Sequence, residues 1–369
     1  MEGNLIRIRP VPFQALQYIP FSGRNKEKKQ IHFFGRWIFL PENWFFQQFF
    51  LEICNRSRNG RSTYQEYIMG FSGATDITVY KFADTKKLNQ DKVRKFAFVG
   101  IDDTPYEESA QGWTNIDDIM DTEWNLSPLM KGEWLCFAYR KDKRSVPAAV
   151  LKKHLALKMA EYKNQGVSVK KKDIKDEVKN QLLAKTEPTP ASVDIAISLQ
   201  NGLALVATSS KGTLEAIEGL LGDTFHAEFT KLTNENSPSD LFVEIFRDGL
   251  HVDTEDGAFT ILYGSQLTMI GKGVEDAPLI TVKNDQATVE KGLESELVIQ
   301  KIKVQVEDPN GSIYECTLSD DEGQIGIKGA KIPVQEEKTE ENDRDELFVF
   351  RLGLFETLVG VIRTAFAMK

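Results

Sequence analysis

In this 369-residue sequence, the residues whose type and spacing could form a binding site are lysines at helical spacing. Lys171, Lys175 and Lys179 recur at every fourth position, which would place them along one face of a helix. A row of ammonium groups could neutralise successive phosphates of a polyanion, and the counterions released would make such binding fall steeply with salt. The alternative is that these lysines form a solvated helix surface without a ligand.

The surrounding segment is basic, although the whole chain is acidic. Residues 140–185 contain 14 Lys and Arg and five Asp and Glu, a net charge of +9; since the whole chain has a net charge of −9, the rest carries −18. Repulsion by that remainder would confine a polyanion to the basic segment. The predicted phosphate-binding residues are Lys152, Lys153, Lys158, Lys163, Lys170, Lys171, Lys172, Lys175, Lys179 and Lys185.

A nucleic acid is one polyanion that these lysines could bind. The segment has no cluster of Arg or Asn for hydrogen bonding to base edges, so the contacts would go mainly to phosphates. If the lysines bind a nucleic acid, the sequence therefore predicts contact without sequence preference.

Sequence patterns that would indicate an enzyme are weaker than the lysine pattern. Residues 177–179 have the Glu-x-Lys form of many metal-dependent nucleases, but they lie in the lysine-rich helix and lack the strand-borne aspartate that such a site needs. The acidic pairs at 102–103 and 117–118 lie in predicted turns, where acidic residues are common. The sequence has no phosphate-binding loop, nucleophile elbow or zinc-type Cys/His spacing. We therefore expect no catalytic residue, no metal and no cofactor.

Two helices are predicted to position the lysines. Pro147 suits the first turn of one helix, Gly166 separates it from the next, and Pro188 follows the second. Apolar residues at helical spacing would pack the pair together as a hairpin with its cations outward. These residues are Leu151, Leu155, Met159 and Tyr162 in the first helix and Ile174, Val178 and Leu182 in the second.

Apolar alternation predicts strands in much of the remaining sequence. The Asn201-Gly202 pair between two apolar runs is typical of a type I′ hairpin turn. A helix is predicted over 211–222, and an amphipathic, core-docked helix over 347–368. The predicted strands include 77–82, 95–100, 134–139, 241–246, 258–264, 298–306 and 312–318.

These elements predict an α+β fold with strand-rich central and C-terminal domains and a protruding two-helix finger. An aromatic block at 31–53, strand-like before Pro41 and helix-like after it, is interpreted as an insertion. The predicted divisions are residues 1–144, the N-terminal part of the central domain; 145–187, the basic finger; 188–234, the remainder of the central domain; and 235–369, a mixed domain with a terminal helix.

The cysteines and the chain start indicate the compartment. Cys54, Cys136 and Cys316 are sparse, odd in number and far apart, which suits a reducing cytosol better than a disulfide scaffold. The first residues lack a signal-peptide pattern, and no apolar stretch is long enough to predict a membrane span. We expect a cytoplasmic protein without a membrane partner.

Several segments, in order, resemble the recombination-associated protein RdgC family over about residues 90–369. Gly112-Trp113 follows KFAFVG, and WLCFAYRKDKRSVPAAVLKKHLALKMAE matches a short strand leading into a Pro-initiated basic helix. Lys175-Asp176-Glu177-Val178, DIAISLQNGLALVATSS and VEKGLESELVIQKIKVQV continue the match, and an apolar helix ends it. The similarity is strongest at 132–222.

The resemblance implies a non-enzymatic homodimer, associated with the nucleoid, whose two subunits enclose duplex DNA as a ring and compete with the RecA recombinase. The paired helices would be a finger at the gate of the ring. The sequence departs from the family pattern at 184–187, 284–285 and 296–297. These departures keep open the alternative of a non-catalytic protein-interaction module whose basic finger binds an acidic partner.

Overall fold

The computed structural model describes residues 30–33, 36–39, 70–125, 128–235, 237–271, 278–333 and 344–369. The chain divides into two compact units, Met1–Tyr67 and Ile68–Lys369. In the first unit, strands β1 (Gln30–Phe33) and β2 (Arg36–Phe39) pair antiparallel. This pairing confirms the strand-like half of the aromatic block, whereas its predicted helical half lies outside the described residues.

The second unit is built on one antiparallel sheet of 13 strands. Its main path runs in the order β10-β11-β13-β14-β15-β3-β8-β7-β6-β4, while β12 pairs with β11, β5 with β6 and β9 with β3. The strands are β3 (Thr75–Phe82), β4 (Ser109–Thr114), β5 (Met130–Lys131), β6 (Trp134–Lys143), β7 (Thr189–Ser198), β8 (Leu203–Val206), β9 (Phe229–Lys231), β10 (Leu250–Thr254), β11 (Gly257–Gly271), β12 (Ile280–Lys283), β13 (Leu297–Glu307), β14 (Ile313–Asp321) and β15 (Gln324–Lys331).

Seven α-helices accompany the sheet within the described residues, which confirms a strand-rich α+β fold. They are α1 (Gln90–Lys95), α2 (Ala148–Asn164), α3 (Lys171–Leu183), α4 (Lys211–Phe225), α5 (Pro238–Arg247), α6 (Gln286–Glu294) and α7 (Arg344–Ala365). Within this part of the chain, no helix has both the length and the apolar composition to cross a membrane.

Strand β6 contributes to two hydrophobic cores. Leu135, Phe137 and Tyr139 belong to one core, whereas Trp134 and Cys136 belong to the other. Successive side chains of a strand point to opposite faces, so a strand covered on both faces is a continuous apolar run. The short apolar segment at 134–139 is therefore a buried strand, as predicted.

Helices cover the two faces of the sheet. Phe225 of α4 is buried in the core that contains Phe137, and Leu352 and Phe355 of α7 are buried in the core that contains Cys136. Removing each such side chain from water contributes roughly 1.5–3 kcal/mol. The terminal helix is thus docked in the core, as its apolar pattern predicts.

Polar contacts fix the start of α7 to the sheet. The side chain of Lys131 is fully buried, and its Nζ lies 2.7 Å from Asp117 Oδ2 and 2.5 Å from Asp345 Oδ1 in the first turn of α7. Burial by itself would lower the pKa of Lys131, but hydrogen bonds to the two carboxylates outweigh it and raise the pKa above the ordinary lysine value. The ammonium group therefore stays charged inside the protein.

A second polar contact holds the segment that precedes β3. The backbone N–H of buried Phe71 donates to Asp194 Oδ2 at 3.3 Å, and its carbonyl accepts from Arg351 Nε of α7 at 3.0 Å. Loss of hydration raises the pKa of Asp194 to about 7, and the negative charge of Asp117 adds to this effect. Asp194 is consequently a carboxyl group that titrates near neutrality.

Two predicted strands are absent where they were expected. Residues 241–246 belong to helix α5, because Phe242, Ile245 and Phe246 lie on one helical face and are buried together. In the predicted strand at 95–100, Lys95 ends helix α1, and the following residues contribute only an isolated bridge, between Ala97 and Trp113. A Cβ on Gly112 would lie 2.5 Å from the Cα of Phe98, so glycine permits this close approach.

Two boundaries also differ from the predictions. The β7–β8 hairpin forms, but Gly202 has φ +70° whereas Asn201 is not among the positive-φ residues, so the turn is not type I′. Helix α4 continues past Gly222 to Phe225 and ends at His226, which adopts a left-handed conformation. Burial of Phe225 in the core extends the helix beyond the glycine.

Candidate nucleic-acid interface

Helices α2 and α3 carry the predicted DNA-binding lysines and contact each other. The Tyr162 hydroxyl donates to Glu177 Oε2 at 3.0 Å, and Ile174 and Val178 of α3 are buried. No residue of α2 is fully buried, so this helix covers α3 with one half-buried face. Most of the surface of α2 therefore faces solvent.

One of the apolar residues predicted to pack the two helices together is exposed instead. Met159 is 39% exposed, and half-buried Lys158 occupies the inward side instead. Its Nζ lies 3.3 Å from Glu161, 3.8 Å from Glu177 and 5.5 Å from the centre of the Tyr162 ring. The hydrogen bond to Glu161 raises the pKa of Lys158. The alkyl stem of lysine can pack in this way while its amine finds carboxylates.

The structure places the ten predicted lysines on and beside these helices. Four are on α2 (Lys152, Lys153, Lys158 and Lys163), four are on α3 (Lys171, Lys172, Lys175 and Lys179), and Lys170 and Lys185 flank α3. All except Lys158 and Lys179 are exposed and form no ion pair with any residue that the structure describes. The eight lysines in question, here called the open lysines, are Lys152, Lys153, Lys163, Lys170, Lys171, Lys172, Lys175 and Lys185.

The open lysines follow the geometry of the helices. Lys152 and Lys163 are three helical turns apart and thus lie on one face of α2, about 16 Å from each other along its axis. Lys171 and Lys175 share a face of α3, as their spacing predicts. The connection between the helices brings Lys163 and Lys170 to the same end of the pair, whereas Lys152 lies towards the other end.

Three of the open lysines stand where a helix disfavours positive charge. Lys170, Lys171 and Lys172 occupy the N-cap and first positions of α3, and the N-cap side chain makes no capping hydrogen bond. The positive end of the helix dipole lies there, so cations cost stability and anions are favoured. Only Asp173 supplies a negative charge in that first turn. Helix stability therefore does not account for these lysines, whereas an anionic ligand would.

Part of the positive charge in the basic segment has a structural role. Arg140, at the end of β6, donates from Nε and Nη2 to the two oxygens of buried Asp142, each at 2.7 Å, and its guanidinium lies 4.2 Å from the Phe98 ring centre. Arg144 is 6% exposed and donates to the Thr104 carbonyl at 2.7 Å. These two arginines are held by partners outside the helix pair and are not surface cations.

No sequence pattern points to the residue that contacts Lys179. Its ammonium group forms an ion pair with Glu108, which directly precedes β4, so Lys179 differs from Lys171 and Lys175 in having a carboxylate partner. Glu108 is about 70 positions away from Lys179 in the sequence, and neither local spacing nor the family resemblance links the two.

The Glu-x-Lys step does not form a two-residue site. Glu177 accepts from Tyr162 and from Gln181 Nε2, each at 3.0 Å, while Lys179 is paired with Glu108. The described part of the chain has no group of three or more His, Cys, Asp or Glu that could hold a metal ion.

A strand-rich α+β protein with a lysine-covered helix pair beside its sheet is the class that fold and site define. A family model described as "Putative exonuclease, RdgC" matches residues 75–321, about two thirds of the chain, from β3 through β14. The chain therefore belongs to the RdgC family, and the resemblance drawn from its sequence is confirmed. No curated protein matches it.

Proposed function

We propose that this RdgC-family chain binds double-stranded DNA without sequence preference, as a homodimer, and modulates homologous recombination by competing for DNA. In this proposal α2 and α3 form a protruding finger, and the protein is non-catalytic, cytoplasmic and nucleoid-associated. It uses no cofactor, small-molecule substrate or membrane. The observation that carries the proposal is the set of open lysines on and beside the two helices.

The number and spacing of these charges suit a duplex. Duplex DNA carries one negative charge per roughly 1.7 Å of its axis, so about nine phosphates lie within the 16 Å that separate Lys152 from Lys163. The three lysines at the start of α3 add charge at a helix end that itself favours anions. The open lysines can thus contact several phosphates at once, without a fixed alignment along the DNA.

The chemistry of the set favours non-specific contact. An ammonium group is a point charge with rotatable donors, whereas bidentate recognition of base edges uses arginine or amide side chains. The two arginines nearest the helices, Arg140 and Arg144, are buried and hydrogen-bonded within the protein. Sequence-independent binding is therefore expected, because the cations that helices α2 and α3 leave open are lysines.

A salt titration tests the proposal. Duplexes of two unrelated sequences are titrated with the full chain between about 50 and 200 mM salt. The double variant Lys171→Gln/Lys175→Gln is compared with the matched control Lys86→Gln/Lys87→Gln, which removes two exposed lysines from the turn after β3. We expect equal affinity for both duplexes and a loss of about 1.8 in the salt slope for the first variant only, since each phosphate contact contributes roughly 0.9. DNA recovered after incubation with Mg²⁺ should remain full length.

Equal slopes for the two double variants would refute the assigned surface. Micromolar or weaker binding by the wild-type chain at low salt would instead favour the second candidate, an acidic protein partner. That candidate is supported by exposed apolar side chains beside the lysines, among them Leu157, which is 60% exposed, and Val167. A mixed apolar and basic surface is better suited to binding a protein than to binding a phosphate backbone.

A further inference from the structure

The segment before β4 is held against the base of the helix pair by a buried arginine. Arg144 Nη1 donates to the carbonyl of Thr104 at 2.7 Å and lies 3.5 Å from that of Glu107, and the Arg144 backbone N–H donates to the Glu108 carbonyl at 2.8 Å. Since Arg144 lies only four residues before α2, the segment and the helix pair share one support. The position of Glu108 is thereby fixed relative to α3.

The carboxylate of Glu108 contacts Lys179, the third of the lysines that recur at every fourth position of α3. Its Oε1 pairs with Lys179 Nζ, while Lys171 and Lys175 have no ion-pair partner among the described residues. A carboxylate and a phosphate present the same chemistry to an ammonium group, namely anionic oxygens that accept charge-assisted hydrogen bonds. Glu108 therefore occupies the place that a phosphate would take at Lys179.

We propose that Glu108 competes with the DNA backbone for Lys179. It is a positioning residue that keeps Lys179 out of the initial contact with DNA. This inference rests on the proposed function, because it concerns the same lysines. Duplex DNA first meets Lys171 and Lys175, and Lys179 joins only when Glu108 is displaced. The carboxylate thus limits the contact to the part of α3 nearer its start and lowers the affinity of the resting protein.

The neighbouring glutamate provides a matched control. Glu107 accepts a hydrogen bond from the Thr104 hydroxyl at 3.2 Å and pairs with no lysine that the structure describes. Glu107→Gln and Glu108→Gln remove the same charge from adjacent positions, so they change the long-range field almost equally. Any difference between their DNA affinities reports the contact with Lys179.

The experiment measures the dissociation constant for duplex DNA of full-length wild type, Glu107→Gln, Glu108→Gln and Glu108→Gln/Lys179→Gln across a salt series. We expect Glu108→Gln to bind roughly two- to fivefold more tightly than Glu107→Gln, the range expected when an exposed ion pair no longer has to be broken. Its salt slope should be steeper by about 0.9, one additional phosphate contact. Adding Lys179→Gln should remove both gains.

The outcomes separate this inference from the proposed function. If the wild type binds DNA in a salt-dependent manner but Glu108→Gln and Glu107→Gln have equal affinities and slopes, the competitor role is wrong and DNA binding stands. If the gain in Glu108→Gln persists after Lys179→Gln, the effect does not act through Lys179 and the inference is again overturned. If no variant binds DNA, both the proposed function and the inference are refuted.

Discussion

Replacing Asp194 with asparagine should remove a pH dependence from the stability of this protein. The pKa of Asp194 is raised to about 7, chiefly by loss of hydration, so the folded chain holds a proton that the unfolded chain releases. The free energy of unfolding therefore falls as pH rises from the unfolded value near 4 through the folded value near 7. An amide does not titrate, while its oxygen can still accept from the Phe71 N–H.

The magnitude follows from the displacement of the pKa. About three units correspond to roughly 4 kcal/mol, of which roughly 2.5 kcal/mol develops between about pH 5 and pH 8. These values are upper bounds, because the Asp194 side chain is only half-buried and keeps some hydration. The charge of Asp117 is present in both proteins and does not alter the comparison.

Urea unfolding followed by circular dichroism at several pH values measures this effect. Asp194→Asn should gain stability relative to the wild type as pH rises, and the exposed control Asp253→Asn should follow the wild type. Parallel pH profiles for Asp194→Asn and the wild type would show that Asp194 ionises as freely in the folded chain as in the unfolded one, and the reasoning from burial would be wrong.

Two further changes test the packing around α6 and α7. Lys131→Met should lower the free energy of unfolding by about 2 kcal/mol, because it removes the charge-assisted hydrogen bonds that the buried ammonium donates to Asp117 and Asp345; a loss below about 1 kcal/mol in urea unfolding would contradict this. Glu296→Gly should stabilise the protein by up to about 1 kcal/mol, since Glu296 follows α6 with φ +59°, a conformation that favours glycine; an unchanged or lower thermal midpoint would refute it.

The same φ angle explains why glycine suits position 296 in the family pattern. The resemblance aligns a Gly-Lys step of the family with residues 296–297, and a left-handed residue after a helix is where glycine is preferred. The departure at Asn284-Asp285 has a local role as well. Asp285 caps α6 by accepting from the Thr288 N–H at 3.0 Å, and asparagine tolerates the φ of +49° at Asn284.

Local patterns were sufficient to predict the elements that carry the lysines. The spacing of Lys171 and Lys175, the break at Gly166 and the apolar residues Ile174 and Val178 correspond to α3 and its buried face. The strand at 134–139 and the helix at 347–368 were equally predictable, because a strand buried on both faces is a continuous apolar run and a docked helix repeats apolar residues at helical spacing. The charge asymmetry of the chain is likewise a property of sequence alone.

Only the tertiary structure decided which lysines are open and which are paired. Lys179 has the same spacing as Lys171 and Lys175, yet it pairs with Glu108, which is far from α3 in the sequence. Lys158 pairs with Glu161 of its own helix and also lies 3.8 Å from Glu177 of α3. The helix at 241–246 was missed for a related reason, since its apolar residues fit a strand until the core around Phe242 is known. Periodicity reports which face of an element is buried, whereas ion pairs and helix ends depend on groups that folding brings together from distant positions.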